Sequence, residues 1–138
     1  MVEGLARSLA FPPKAQAAQV RYARSVKLSV KLTTRGRRTG KPRQVSLYAF
    51  EDGDRLVVVG SRGGAAADPY WAGNLRVEQR ATIKIGRDAR DVRAHEVAGP
   101  ERDRLWSLVT GAFPLYASYQ RKTERVIPLF VLETVGGA

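Results

Sequence analysis

Five cations crowd one short stretch of the chain, LTTRGRRTGKPRQVSLYAF, which spans Leu32 to Phe50: Arg35, Arg37, Arg38, Lys41 and Arg43, set around Gly36 and Gly40. Like charges this close repel, so a compact loop that gathers them points to an anionic ligand. Arginine offers a planar fork of donors suited to phosphate or carboxylate, and lysine adds a point charge. The two glycines let backbone N–H groups approach a ligand closely. Elsewhere the sequence is poor in reactive side chains. It has no cysteine and one histidine, His95, with no partner for a triad or a metal site. Asp52/Asp54 and Asp88/Asp91 fall in or beside turns, where solvation accounts for them. If the chain is an enzyme, the difficult chemistry belongs to a bound cofactor, and the protein binds and orients it.

The elements around the loop must hold it rigid. Val26, Leu28, Val30 and Leu32 alternate with other residues before it, and Val45, Leu47 and Ala49 alternate after it, so two strands carry the cationic tip. A turn at Glu51–Asp54 leads to an apolar strand, Arg55–Gly60, which ends in the polar bend Ser61-Arg62-Gly63-Gly64. Asp68 as N-cap and Pro69 at the first helical position predict a short helix carrying Trp71, Asn74 and Leu75. Trp71 and Leu75 share an apolar face, and Asn74 beside that face needs a hydrogen-bond partner. Strands are predicted at Ala81–Ile85 and Asp91–Val97, with His95 on a wet face. A helix opening at Gly99-Pro100-Glu101 carries an apolar stripe of Leu105, Leu108, Val109 and Ala112. Pro114 interrupts it, and Tyr116 and Tyr119 follow on a short helical segment. Val126–Glu133 closes the domain as a strand, in which Pro128 predicts an edge or a bulge. About six strands joined by tight hairpins argue for a mainly β (α+β) fold, an antiparallel sheet closed into a small barrel with a few short helices.

The chain has 138 residues, 43% of them apolar, enough for one domain with a core. Its net charge is +11, and the excess is uneven. Residues 1–43 hold eleven Lys/Arg and one acid, whereas residues 44–138 hold thirteen Lys/Arg and twelve acids. Such asymmetry favours an anionic partner. A nucleic acid is not expected, because Tyr22 is the only aromatic between Pro12 and Tyr48 and stacking platforms are missing. Residues 1–25 read as a basic N-terminal extension, with a short helix over Lys14–Arg24 that could rest on the barrel or on an anionic membrane surface. Residues 26–138 read as the cofactor-binding domain. No apolar run approaches the roughly 20 residues that span a bilayer, and Leu5–Pro12 is too short for a secretory signal. The expected location is the cytoplasm, with membrane association through the N-terminus as the variant reading.

TTRGRRTGKPR, followed in order by GSRGG, PYWAGNL and FPLYASYQRKTERVIPLFVLE, resembles the deazaflavin-dependent nitroreductase family from about Val26 to Glu133. The resemblance implies a split β-barrel, FMN-binding-like, that uses reduced coenzyme F420 to reduce an electron-poor acceptor such as a quinone, enone or nitro compound. F420 carries a phosphodiester and a polyglutamate tail, whereas FMN carries one phosphate, so five cations favour F420 over FMN. The resemblance further implies that Arg37, Arg38, Thr39 and Arg43, with Lys41, hold the phosphate and tail. Gly60, Ser61, Arg62, Gly63 and Gly64 match the segment that lies along the ring, and Trp71 and Asn74 match a W-x-x-N pair at the cofactor site. Tyr48, Phe113, Tyr116 and Tyr119 match positions lining the substrate pocket, with Tyr116 the first candidate proton donor or orienter, Ser61 the second, and Tyr119 beside them. Phe113 stands where nitroimidazole-reducing relatives have a tyrosine. Val45-Ser46 replaces an Asn-Pro pair common in relatives. A non-catalytic F420- or lipid-binding barrel is the alternative, with a nucleic-acid-binding barrel ranked behind it, and monomer and homodimer are both compatible with the sequence.

Overall fold

The computed structural model describes residues 27–135. The N-terminal extension and its short helix lie outside the described residues. Six strands and three α-helices follow one another: β1 (Lys27–Arg35), β2 (Pro42–Asp52), β3 (Arg55–Val59), α1 (Tyr70–Val77), β4 (Arg80–Ile85), β5 (Asp88–Glu96), α2 (Gly99–Ala112), α3 (Leu115–Arg121) and β6 (Leu129–Thr134). A single 3₁₀ turn, Arg62–Gly64, lies between β3 and α1. The strands close into an antiparallel barrel in the order β1-β2-β3-β6-β5-β4.

Pairing along β2 is unequal, and this creates the site. β2 pairs with β1 from Pro42 to Phe50. Its pairing with β3 covers only Ala49–Asp52. The half from Pro42 to Tyr48 therefore has a strand on one side and a gap on the other. The barrel is split there, and α1 and the segment after β3 stand across the gap.

Two apolar cores result. One fills the barrel with Val30, Leu32, Ala49, Val58, Trp71, Leu75, Ile83, Phe130 and Leu132. The second lies between the outer face of β2-β3-β6 and the helices α2 and α3, and holds Phe50, Val57, Leu105, Val109, Tyr116, Ile127 and Val131. β3 and β6 face a core on both sides, which explains why RLVVV and LFVL are continuous apolar runs rather than alternating ones. β4 and β5 keep one wet face, and His95 lies exposed on it.

Three expectations are corrected. Pro128 precedes β6 rather than lying inside it, so its missing N–H is not needed by the ladder, and its carbonyl accepts the Gly60 N–H (2.8 Å); β6 itself is paired on both sides, between β3 and β5. Asp68 does not cap α1: Pro69 is the N-cap residue, and Asp68 instead pairs with Arg76 (2.9 Å) and Arg125 (2.6 Å). Asp52 is not simply solvated. Its half-buried carboxylate bridges Arg55 (2.8 Å) and Arg104 (3.0 Å).

Candidate functional site

The cationic tip is a self-supporting loop. The Gly36 N–H donates to the Lys41 carbonyl (2.8 Å), the Gly40 N–H to the Gly36 carbonyl (2.7 Å) and the Lys41 N–H to Thr39 Oγ1 (3.1 Å). Gly40 adopts φ +76°, a region that favours glycine. Asn74, buried on α1, supplies the partner set that its position demands. Its Nδ2 donates to Thr34 Oγ1 (3.0 Å), and its Oδ1 accepts from the backbone N–H of Arg37 (3.1 Å) and from Arg37 Nη1 (3.0 Å). Arg37 Nη1 also donates to the Tyr70 carbonyl (3.1 Å). The guanidinium lies directly on Gly73, where a Cβ would meet Arg37 Cζ at 2.9 Å. α1 thus anchors the loop through one buried amide and one glycine.

Among the described residues, Arg35, Arg37, Arg38, Lys41 and Arg43 form no ion pair, whereas Arg55, Arg76, Arg90, Arg104 and Arg125 all meet carboxylates within 3.0 Å. Arg37, Arg38, Thr39 and Arg43 line a groove of about 640 Å³ whose floor includes Asn74. The groove shares Arg37 and Tyr70 with a larger cleft of about 1040 Å³ in the barrel's split. An uncompensated cationic groove opening into a partly apolar cleft suits a ligand with a planar body and an anionic tail.

One wall of the cleft is β2, with Val45, Leu47 and Tyr48; the opposite wall is Ser61, Arg62 and Gly63, and Trp71 closes the floor. Ser61 is buried, and its hydroxyl has no hydrogen-bond partner among the described residues. Arg62 adopts φ +47°, Gly63 φ +63° and Gly64 φ +87°, so the bend is left-handed at three consecutive residues. Gly60 and Gly64 lie behind this wall. A Cβ on Gly60 would strike Pro128 Cγ at 2.8 Å, and one on Gly64 would meet the Tyr119 carbonyl at 2.7 Å. Lys41 lines neither the groove nor the cleft.

Aromatic rings form the third side, each edge-on to the next: Tyr48–Phe113 (5.6 Å between centroids), Phe113–Tyr116 (4.8 Å) and Tyr116–Tyr119 (6.3 Å). Lys27 Nζ sits over Tyr48 and Phe113, at 4.4 and 5.0 Å from the ring centroids. Tyr116 is only 5% exposed, yet its hydroxyl has no hydrogen-bond partner among the described residues. Burial, then the neighbouring Tyr119 and Tyr48, push its pKa above the usual phenol range, so the hydroxyl keeps its proton at any working pH.

The structure therefore gathers Ser61, Arg62, Gly63, Trp71, Tyr48, Phe113, Tyr116 and Tyr119 in one cleft, and Arg37, Arg38, Thr39, Arg43 and Asn74 in the adjoining groove. Sequence reading misses Tyr70, Lys31 and Lys84, which also line the cleft, and Arg125, which supports its wall from behind.

A six-stranded barrel, split along β2, with a cationic groove running into the split, defines a split-barrel protein with a site for an anionic ligand. The sequence matches the F420H(2)-dependent quinone reductase family over residues 13–134, and the chain belongs to that family. An F420H(2)-dependent quinone reductase of Mycobacterium tuberculosis is 36% identical over 110 residues, covering 75% of this chain and 72% of that protein. A solved F420-H2 dependent reductase is 37% identical, with a TM-score of 0.70, over 76% of this chain and 93% of that one. Another structure, described as a domain-swapped dimer, is 37% identical with a TM-score of 0.71, over 76% and 79% of the two chains. The protein is an F420H2-dependent oxidoreductase with coenzyme F420 as its cofactor.

Proposed function

We propose that the protein reduces a small quinone-type acceptor, with the cofactor's tail in the loop groove and its ring in the barrel's split. The uncompensated cations of the groove, next to an aromatic-lined cleft, are the observation that carries this reading. Arg37, Arg38 and Arg43 would hold the phosphate and carboxylates, because each keeps donors free that no carboxylate of the described chain occupies. Thr39 Oγ1 accepts from the Lys41 amide, and its hydroxyl hydrogen remains available to the same anion. Ser61, Arg62 and Gly63 would bear on the ring's edge, and Trp71 and Leu47 would pack beneath it.

Bound reduced F420 supplies a hydride equivalent to an electron-poor carbon or oxygen. This chain's part is to orient the acceptor and to deliver a proton. Tyr48, Phe113 and Tyr116 offer ring edges and faces to a flat acceptor and keep water from it. Tyr116 Oη, protonated and without a hydrogen-bond partner among the described residues, would donate a hydrogen bond to the acceptor's carbonyl oxygen and stabilise charge as it develops there. Ser61 Oγ is the second donor within the same wall, and Tyr119 orients Tyr116 from its far side. The same cleft would admit an enone or a nitro compound, while Phe113 offers no hydroxyl for a nitroimidazole. Among the described residues no helix is long and apolar enough to cross a membrane. The relative described as a domain-swapped dimer supports a homodimer as the working form.

Fluorescence titration of the purified protein with F420 and with FMN, at low and high salt, tests the cofactor assignment. F420 should bind tightly and lose affinity with salt, and FMN should bind weakly. Joint replacement of Arg37 and Arg38 by Ala should weaken F420 binding at least about tenfold, since charge-assisted hydrogen bonds are the strong ones. Equal binding of both ligands, or no loss in the double variant, would refute the placement of the tail. Turnover with water-soluble quinones, followed as loss of the reduced cofactor, tests the acceptor class.

A further inference from the structure

Arg125 belongs to neither the cationic loop nor the cleft lining, yet it is the most heavily bonded side chain near the site. Its guanidinium is 14% exposed and makes four hydrogen bonds. Nε donates to the Ala65 carbonyl (2.8 Å), Nη1 to the Gly60 carbonyl (3.1 Å) and to Asp68 Oδ1 (2.6 Å), and Nη2 to the Ser61 carbonyl (2.7 Å). Three of the four acceptors are therefore backbone carbonyls of the segment that walls the cleft.

In a trans peptide the N–H points opposite to the C=O. The Gly60 carbonyl shares its peptide with the Ser61 N–H, and the Ser61 carbonyl shares its peptide with the Arg62 N–H. With both carbonyls turned onto Arg125, both amides face away from it. Neither N–H, nor that of Gly63, has an acceptor among the described residues, and all three residues line the cleft. A cation on the carbonyl side also polarises each peptide and strengthens the donor on the other side. The left-handed Arg62, strained for a residue with a Cβ, keeps its conformation only because its neighbours are fixed.

We propose that Arg125 is the positioning residue for the cofactor's ring: it aims and polarises the Ser61 and Arg62 amides at an electron-rich edge of the deazaflavin, independently of the cationic loop that holds the tail. This rests on the F420 reading and adds a division of labour within it. The ring's grip comes from backbone held by Arg125, and the tail's grip comes from Arg37, Arg38 and Arg43. Lysine cannot replace Arg125, because one ammonium cannot span three carbonyls and a carboxylate.

The test is a fluorescence titration of parent, Arg125→Lys and Arg37→Ala proteins, with two probes: F420, and the 8-hydroxy-5-deazaflavin ring fragment lacking phosphate and tail. Thermal unfolding first establishes that each variant is folded at the assay temperature. Arg125→Lys should weaken both probes by the same factor, about tenfold or more, with no change in that factor between low and high salt. Arg37→Ala should weaken F420 alone, more so at low salt. A folded Arg125→Lys protein that binds both probes like the parent overturns the proposal, as does a loss confined to F420. Should the variant not fold, amide exchange on the parent decides. The Ser61 and Arg62 amides should gain protection when the ring fragment binds, and unchanged exchange overturns the proposal. A parent protein that binds no F420 overturns the cofactor reading and this proposal together, a pattern distinct from failure in the Lys variant alone.

Discussion

Replacing Asn74 by Ala should cost the protein both stability and cofactor affinity, and the structure supplies the magnitudes. The substitution removes three hydrogen bonds. Arg37 Nη1 is near solvent and keeps its bond to the Tyr70 carbonyl, so its loss is largely made good by water. The other two groups are not so placed. Thr34 is 2% exposed, and its hydroxyl would be left without its donor. The Arg37 N–H is part-buried and would lose its acceptor. Stranding a buried polar group costs about 1–3 kcal/mol, so two of them, partly relaxed, amount to about 3 kcal/mol. For a domain of this size that lowers Tm by roughly 10 °C. The second effect is on the loop, whose entry from β1 is fixed by the same amide. A looser loop must be ordered on binding, and F420 affinity should fall by about tenfold or more. Thermal unfolding and F420 titration on one preparation check both effects. A Tm within about 2 °C of the parent, together with unchanged affinity, would refute the claim that α1 anchors the cationic loop.

Three further outcomes follow from the geometry. Tyr116→Phe removes a hydroxyl that no described residue engages, so Tm should stay within about 2 °C of the parent while kcat falls at least several-fold and F420 affinity is unchanged; a clear drop in Tm would assign Tyr116 a structural role instead. Gly64→Ala places a Cβ 2.7 Å from the Tyr119 carbonyl at a residue with φ +87°, and should cost about 3 kcal/mol by denaturant unfolding. Burial raises the pKa of Asp52, but hydrogen bonds and charge from Arg104 and Arg55 outweigh it and hold the carboxyl below its ordinary value. A carboxyl depressed in the folded state stabilises above its unfolded pKa, about 3.9, and that contribution is lost as pH falls through the lower folded value. Asp52→Asn should therefore flatten the acid limb of stability below about pH 4, as read from Tm against pH.

The sequence made the strands of the first hairpin legible because their apolar residues alternate, and made the anion site legible because five cations are contiguous. It made the helix opening at Gly99-Pro100 legible through its proline and its stripe. It exposed the aromatic wall only in part: Phe113 lies just before the helix that Tyr116 and Tyr119 share, but Tyr48 joins them from β2 across a long sequence distance. Pro128 misled because a proline beside an apolar run looks like a defect in a strand, when here the run starts one residue later. Asp68 misled because an acid before proline is a good cap in isolation; a stronger offer, two arginines, came from residues 8 and 57 positions away. Arg125 left no trace for the same reason. Its acceptors are backbone carbonyls, which every residue has, so no pattern of side chains could announce them. Asn74 was the readable exception, since a buried amide must have partners even when they cannot be named.

The split along β2 has an evolutionary consequence. Its two sides draw on different kinds of atoms: main chain and the loop's cations on one, exchangeable ring-bearing side chains from β2, α3 and the turn before α3 on the other. Phe113 and Tyr119 pack against the helix-side core, so a substitution at either falls outside the barrel interior. On the placement proposed above, acceptor preference can diversify by single side-chain changes at the helical rim while the redox partner is inherited intact, and a lineage built on this scaffold can explore new substrates without first losing its source of electrons.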